Sequence, residues 1–479
     1  MSFIDNLATL NISIDTADSQ PIYQQLTQQI RQLLLDQRLT PGEKLPSSRK
    51  LAQLLSISRT STLNAYNQLI AEGMLISEPA VGVFVCTQKT SAGKSTAANK
   101  PALLRDNINP GTSREDKVAV FDAGPDVNQF PFSRWAGSLK RVWRNPDPAL
   151  LRDFPLGGYL PLRESVARYI KAVRDVECHP QQVIITAGSR DAVALIASAA
   201  SLAGEKVALE DPCYPPLRHG LSALGAKLKY SSVDSQGMLL PESKVRLAWI
   251  TAARQYPLGV TMSTQRRLDW LEYARQHQCW IVEDDFDSEF HYSKLPLTPL
   301  FNLSARLYQS DQQSLILAGS FSKIFFKTLR IGYLVVPETL IDTFVSAQRQ
   351  LGNLASVPIQ PALADFIGDR RFAGHLRRMR RCYQQRRDFL QQLLHEKLAH
   401  KLDTQLPSGG MHLLAKLKSG VFTGDDCALE RQLASRGVSA IALSNHYVDR
   451  GEQGLLLGYS GAPEKHLELG VRRLQEVLG

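Results

Sequence analysis

Cysteine is scarce: in 479 residues there are six, at 86, 178, 213, 279, 382 and 427, with no CxxC pair and no metal-ligand spacing. That pattern speaks for reduced thiols in a cytosol and against a zinc site or a disulfide scaffold. Long apolar runs are missing too, since none approaches the ~20 residues of a membrane span. Met1-Ser2-Phe3-Ile4-Asp5 lacks the basic start and apolar stretch of a secretory signal, so a cytoplasmic protein without a membrane partner is expected. What is present is an ordinary soluble balance, 43% hydrophobic and 21% charged, on a chain long enough for two or three units. The formal charge of +10 points to an anionic partner, yet residues 1–90 hold seven basic and seven acidic side chains. The basic excess lies beyond them.

Behind Pro21, Ile22, Leu26, Ile30, Leu33 and Leu34 recur at helical spacing. Pro46-Ser47-Ser48 caps a second helix from Arg49 to Leu55, with Leu51, Leu54 and Leu55 expected inward. After a tight turn Ser58 caps a third, whose buried face is expected at Leu63, Tyr66, Leu69 and Ile70. Arg59, Thr60, Ser61 and Thr62 then stand at the N-terminus of a recognition helix, where side chains reach base edges and N–H groups meet phosphate. Met74–Ser77 and Val83–Val85, joined through Gly82, read as a two-stranded wing. Periodicity alone equally fits a small helical bundle without nucleic acid. The run Leu45-Pro46-Ser47-Ser48-Arg49-x-Leu51-Ala52, Ile57-Ser58-Arg59-Thr60, Ala65-Tyr66 and Ala71-Glu72-Gly73-x-Leu75 resembles the winged helix-turn-helix of GntR-type regulators. The resemblance implies double-stranded operator DNA as partner, with Arg49, Ser58, Arg59, Thr60, Thr62 and the wing residue Gly82 at the interface.

The expected organisation is a DNA-binding domain at 15–87, a linker at 88–117 of Ser, Ala, Lys and Gly without period, and a large domain at 118–479. In the large domain, strands at Val183–Thr186, Lys206–Leu209, Ala248–Ile250, Trp280–Val282 and Leu315–Ala318 alternate with helical patterns. A parallel α/β sheet follows, with its ligand at the strand C-terminal ends. Those ends carry Gly188-Ser189, Tyr214, Asp284, and Ser320-Phe321-Ser322-Lys323 followed by Arg330. Loop N–H groups, hydroxyls and an arginine suit a phosphate, an aromatic covers a flat ring, a buried carboxylate keeps a pyridine nitrogen protonated, and a desolvated lysine attacks an aldehyde. Taken singly, Ser189 reads as a helix cap, Tyr214 as packing and Asp284 as a solvated loop residue. Their coincidence at successive strand ends favours one site for pyridoxal 5'-phosphate (PLP).

Gly158-Tyr159-x-x-Leu162-Arg163, Thr186-Ala187-Gly188-Ser189, Glu210-Asp211-Pro212-x-Tyr214-Pro215, Gln255-Tyr256-Pro257-x-Gly259, Glu283-Asp284-Asp285-Phe286-Asp287-Ser288-Glu289-Phe290 and Gly319-Ser320-Phe321-Ser322-Lys323 resemble the fold-type I, aminotransferase-like domain of PLP proteins. Together with the N-terminal match the chain resembles the MocR subgroup of GntR-type regulators. The resemblance implies that Lys323 forms the Schiff base, Asp284 pairs with the pyridine nitrogen, Tyr214 stacks on the ring, and Gly188, Ser189, Ser320, Ser322 and Arg330 hold the phosphate. It also implies a homodimer, in head-to-tail pairing.

Three features bear on activity. Phe286 stands where such relatives commonly carry tyrosine, and Arg254 where they often have histidine. Leu456 stands where aminotransferases place the arginine that clamps a substrate carboxylate, which leucine cannot pair. The expectation is a regulator that senses PLP or an amino-acid-like effector without enzymatic turnover, with PLP itself favoured and vitamin B6 metabolism as regulon. The alternative is an aminotransferase with a fused DNA-binding domain. Eight arginines between 370 and 387, with no acid among them, read as a solvated helix face or as a second DNA-contacting stripe.

Overall fold

The computed structural model describes residues 12–15, 20–36, 38–78, 81–86, 119–292, 298–308, 314–352, 355–449 and 451–479. The chain divides into two units, 1–109 and 110–479, and the linker expected at 88–117 lies outside the described residues.

In the first unit, helix α1 (Ile22–Leu35) begins behind Pro21 and buries Leu26, Ile30 and Leu33 along one stripe. Strand β1 (Lys44–Leu45) leads to helix α2 (Ser48–Leu54), capped by Ser47, and helix α3 (Arg59–Ala71) is capped by Ser58 accepting from the Ser61 N–H at 3.0 Å. The buried Tyr66 hydroxyl donates to the Pro46 carbonyl at 2.9 Å, which fastens α3 to the approach of α2. Strands β2 (Leu75–Glu78) and β3 (Gly82–Val85) pair antiparallel as the wing, with β1 adding a third strand against β3. Gly82, at φ +142°, lets the strand pass under Lys44, whose Cε would lie 2.8 Å from any added Cβ.

Two inward assignments are corrected. Leu54 and Leu63 are 46% and 45% exposed. In α3 the buried stripe runs Thr62, Ala65, Tyr66 and Leu69, the i, i+3, i+4, i+7 pattern, and Leu63 lies one residue, about 100°, away from it. Leu54 is the last residue of its helix, where the chain already turns away from the core.

The second unit holds an eight-stranded sheet. Its strands are β4 (Val183–Thr186), β5 (Lys206–Asp211), β6 (Lys227–Asp234), β7 (Gly237–Met238), β8 (Leu247–Ile250), β9 (Trp280–Asp284), β10 (Leu315–Ser320) and β11 (Gly332–Val335), ordered β4-β11-β10-β9-β8-β5-β6-β7. The pairs β10·β9, β9·β8, β8·β5 and β5·β6 are parallel, while β11 and β7 run antiparallel to their neighbours. Strands β4, β8 and β11 are buried along their whole length, as a sheet covered on both faces requires. A smaller antiparallel sheet follows, β12 (Leu402–Thr404), β13 (His412–Leu417), β15 (Gly454–Gly458) and β14 (Ile441–Ala442) in spatial order, beside the 29-residue helix Arg370–Leu398. No helix among the described residues is long and apolar enough to cross a membrane.

Candidate functional site

The C-terminal ends of β4, β5, β8, β9 and β10 surround a cavity of about 350 Å³. Ser189, Tyr214, Asp284, Ser320, Ser322, Lys323 and Arg330 all line it, so the structure brings these candidate residues together at one place. In the sheet β4 and β5 are separated by β11, β10, β9 and β8, yet the helices that follow them, Ser189–Ala199 and Pro215–Ala223, pack together, which brings the two loops to one crevice at the strand ends.

Lys323 lies in a short helical turn after β10, and its Nζ donates to the Ala123 carbonyl at 3.0 Å. Burial pulls its pKa down, and the neighbouring Asp287 carboxylate works against that shift. Asp284 ends β9 and accepts from the Trp249 indole N–H at 3.0 Å. Burial pushes its carboxyl up to about 6, with Trp249 opposing and Asp285 and Asp287 adding to the rise. Burial thus works against the charged form of both the amine and the carboxyl that line this cavity.

Gly188, at φ +88°, precedes the helix Ser189–Ala199, and a Cβ there would sit 3.5 Å from the Arg330 guanidinium carbon. Arg330 itself adopts the left-handed conformation, φ +53°. A helix N-terminus, a guanidinium and the Ser320 and Ser322 residues therefore frame one end of the cavity, as an anion requires. The Thr186 hydroxyl nearby is buried without a hydrogen-bond partner. Gly332 was not singled out in the sequence, yet a Cβ there would lie 2.8 Å from the Gly319 carbonyl and 3.0 Å from the Thr186 hydroxyl. Only a glycine lets β4, β11 and β10 close at this point.

Glu210 and Trp249 also line the wall without having been assigned to it from the sequence. Buried Glu210 accepts from the Thr251 N–H at 3.0 Å and from the Gln255 amide at 3.2 Å, and burial raises its pKa to about 7. Tyr214 is 47% exposed and meets Tyr256 edge-on at 5.7 Å, and Tyr256 meets Phe286 edge-on at 5.6 Å. Leu456 is buried on β15 opposite Leu414 and is absent from the cavity wall. Arg254 is held internally: its guanidinium pairs with Asp287 at 2.9 Å and donates to the His412 carbonyl at 3.0 Å. Arg218 donates to the Tyr447 carbonyl at 3.0 Å.

In the first unit, Arg49 is exposed near the start of α2, Ser58, Arg59 and Thr60 are exposed at the N-terminus of α3, and Gly82 sits in the wing. Thr62 is corrected: it is fully buried on the inner stripe of α3, its hydroxyl without a partner, and it faces the core instead of a DNA groove. The arginine cluster divides in two. Buried Arg386 pairs with Asp126 at 2.8 Å, buried Arg387 lies 4.5 Å over the Tyr292 ring, and Arg380 donates to the Glu289 carbonyl. Arg371, Arg377, Arg378 and Arg381 are exposed.

Fold and site define a fold-type I, aminotransferase-like unit joined to a winged helix-turn-helix. Residues 126–456 match the family of class I and II aminotransferases, and residues 22–85 match the gntR family of bacterial regulatory proteins. The chain is 33% identical to the probable rhizopine catabolism regulatory protein MocR of Rhizobium meliloti, covering 95% of this chain and 93% of that one. It is 30% identical to the pyridoxine biosynthesis transcriptional regulator PdxR of Corynebacterium glutamicum, over 96% of this chain and 97% of the relative. An archaeal alanine:glyoxylate aminotransferase superposes with a TM-score of 0.69 at 24% identity, over 77% of this chain and 92% of that structure. The chain belongs to the MocR subgroup of GntR-family transcriptional regulators.

Proposed function

We propose that the protein is a cytoplasmic, homodimeric regulator that reads a double-stranded operator through residues 15–87 and binds PLP in the cavity of residues 118–479, with PLP as its effector. The observation that carries this reading is the meeting of Lys323, Asp284, Arg330 and Tyr214 around one cavity at the sheet's C-terminal edge. The residues fit the cofactor: Gly188 leaves room beside the Arg330 guanidinium, the Thr186 hydroxyl is unspent, and Asp284 offers a carboxylate on the cavity wall. PLP, when bound, supplies an aldehyde for an amine and an electron-withdrawing ring. Lys323 would hold the aldehyde carbon, Asp284 the ring nitrogen's proton, Tyr214 one ring face, and Gly188, Ser189, Ser320, Ser322 and Arg330 the phosphate. On the DNA side Arg49, Ser58, Arg59 and Thr60 would meet bases and phosphates, with Gly82 in the wing.

Leu456 is buried, Arg254 pairs with Asp287 and Arg218 donates to the Tyr447 carbonyl, so among the described residues Arg330 is the arginine that lines the cavity. This supports sensing over turnover, and the relative named for pyridoxine biosynthesis supports vitamin B6 metabolism as the regulon. Dimerisation is supported by exposed apolar side chains between Phe132 and Leu160, among them Trp143, Leu151 and Phe154, and its head-to-tail form rests on the resemblance to MocR regulators. The test is absorbance spectroscopy of the purified protein. PLP should give a bound-cofactor band that Lys323→Ala removes, and common amino acids should not convert it. Conversion by an amino acid would favour the aminotransferase reading, and no band at all would contradict PLP binding.

A further inference from the structure

One segment of the smaller sheet is fastened to the cavity wall. After β14 the chain forms a short helical turn, Leu443–His446, and continues through Tyr447 and Val448. Four hydrogen bonds tie this strap to the loops that build the cavity. The His446 carbonyl accepts from the Cys213 N–H at 3.0 Å, and the Tyr447 carbonyl from the Arg218 guanidinium at 3.0 Å. The Val448 N–H donates to the Asp211 carboxylate at 3.1 Å, and the His446 Nε2 lies 3.2 Å from the Tyr256 hydroxyl. Cys213 and Tyr256 line the cavity, while Asp211 and Arg218 flank Tyr214 on either side in sequence.

The fourth bond has a defined direction. His446 is 2% exposed, and its Nδ1 faces the Ala442 carbonyl at 3.2 Å, so Nδ1 carries the proton and Nε2 accepts from the phenol. Tyr256 meets Tyr214, Phe286, His412 and His446 edge-on, at ring distances between 5.3 and 5.7 Å. Tyr214, Tyr256 and Phe286 line the cavity, so a ring ligand that fills it packs against this array. The strap passes any movement inward through Asp426. That fully buried carboxylate accepts from the Ser444 N–H at 3.0 Å and from the Gly454 N–H at the start of β15 at 2.9 Å.

We infer that Tyr256 and His446 are positioning residues that couple occupancy of the cavity to the placement of the 443–448 strap and, through Asp426, of the smaller sheet. The inference rests on the reading of the cavity as a PLP site. Coupling is reciprocal, so a strap loosened by mutation also weakens the ligand.

The experiment is hydrogen exchange of the full-length protein, with and without PLP at a concentration that saturates each variant, followed at the amides of residues 443–448. In the wild type PLP should slow exchange there by at least about 5-fold. Tyr256→Phe, which removes only the hydroxyl, and His446→Ala should both lose that slowing and bind PLP more weakly. His446→Gln should retain it, because its amide oxygen can still accept from the phenol. Wild-type protein that shows the bound-PLP absorbance band with unchanged strap exchange, or Tyr256→Phe with wild-type slowing, would overturn the coupling alone. Absence of the band in the wild type would overturn the PLP reading beneath it.

Discussion

The two units use arginine in opposite ways. Arg49 near the start of α2 and Arg59 at the capped end of α3 stand exposed, whereas Arg174, Arg254 and Arg386 in the larger unit are buried against Asp285, Asp287 and Asp126. An exposed guanidinium contributes little to folding and is free to meet an external anion. A buried one holds the fold, because removing it strands its carboxylate without water or partner. Sequence cannot tell the two apart, and the cluster at 370–387 contains both kinds on a single helix.

Breaking a buried pair should show the largest effect. Arg386→Ala leaves Asp126 unpaired and loses the bond to the Ser460 carbonyl, so chemical denaturation should report a loss of about 3 to 5 kcal/mol. Arg330→Ala removes a cavity arginine that is itself exposed; PLP affinity should fall about 10- to 100-fold, matching the ~1.5 to 3 kcal/mol of charged hydrogen bonds, with the unfolding midpoint of the PLP-free protein near wild type. Arg59→Ala should weaken operator binding by about 1 to 3 kcal/mol in a mobility-shift titration and leave stability unchanged. A similar stability loss for Arg386→Ala and Arg59→Ala would break the comparison.

Smaller effects sharpen it. Because burial raises the Asp284 carboxyl from 3.8 to about 6, the folded protein holds a proton that the unfolded chain has already released in this range. The ionised group therefore costs stability above pH 6, and the cost vanishes as the pH falls toward 4. Asp284→Asn should raise the unfolding free energy of PLP-free protein at pH 7, by no more than about 3 kcal/mol in chemical denaturation, with the gain gone near pH 4. Least of all, Thr62→Val replaces a buried, unpartnered hydroxyl by a methyl group. Stability should change by less than about 1 kcal/mol and operator affinity not at all.

Much of this was legible in sequence because it rests on local rules. Ser47 and Ser58 cap where a hydroxyl precedes an apolar period, and the five strands expected in the large sheet lie where short apolar runs stand. The carboxylate and the lysine of the cavity were readable because each falls at or just after a strand's C-terminal end, and the arginine because it follows that lysine by seven residues. Thr62 and Leu63 were misassigned because a helix with weak amphipathicity allows its stripe to be shifted by one residue. Gly332, Trp249 and Glu210 were not assigned to the site because their roles depend on three strands closing and on a buried carboxylate finding donors from another loop. Such contacts exist only once the sheet is assembled.

The most direct test of the central claim is binding of the full-length protein to the DNA upstream of its own gene, with and without PLP, for the wild type and Lys323→Ala. PLP should change wild-type affinity or the pattern of protected sites, and Lys323→Ala should bind this DNA without responding to PLP. Equal binding by the wild type with and without PLP, or a PLP response that survives Lys323→Ala, would contradict it.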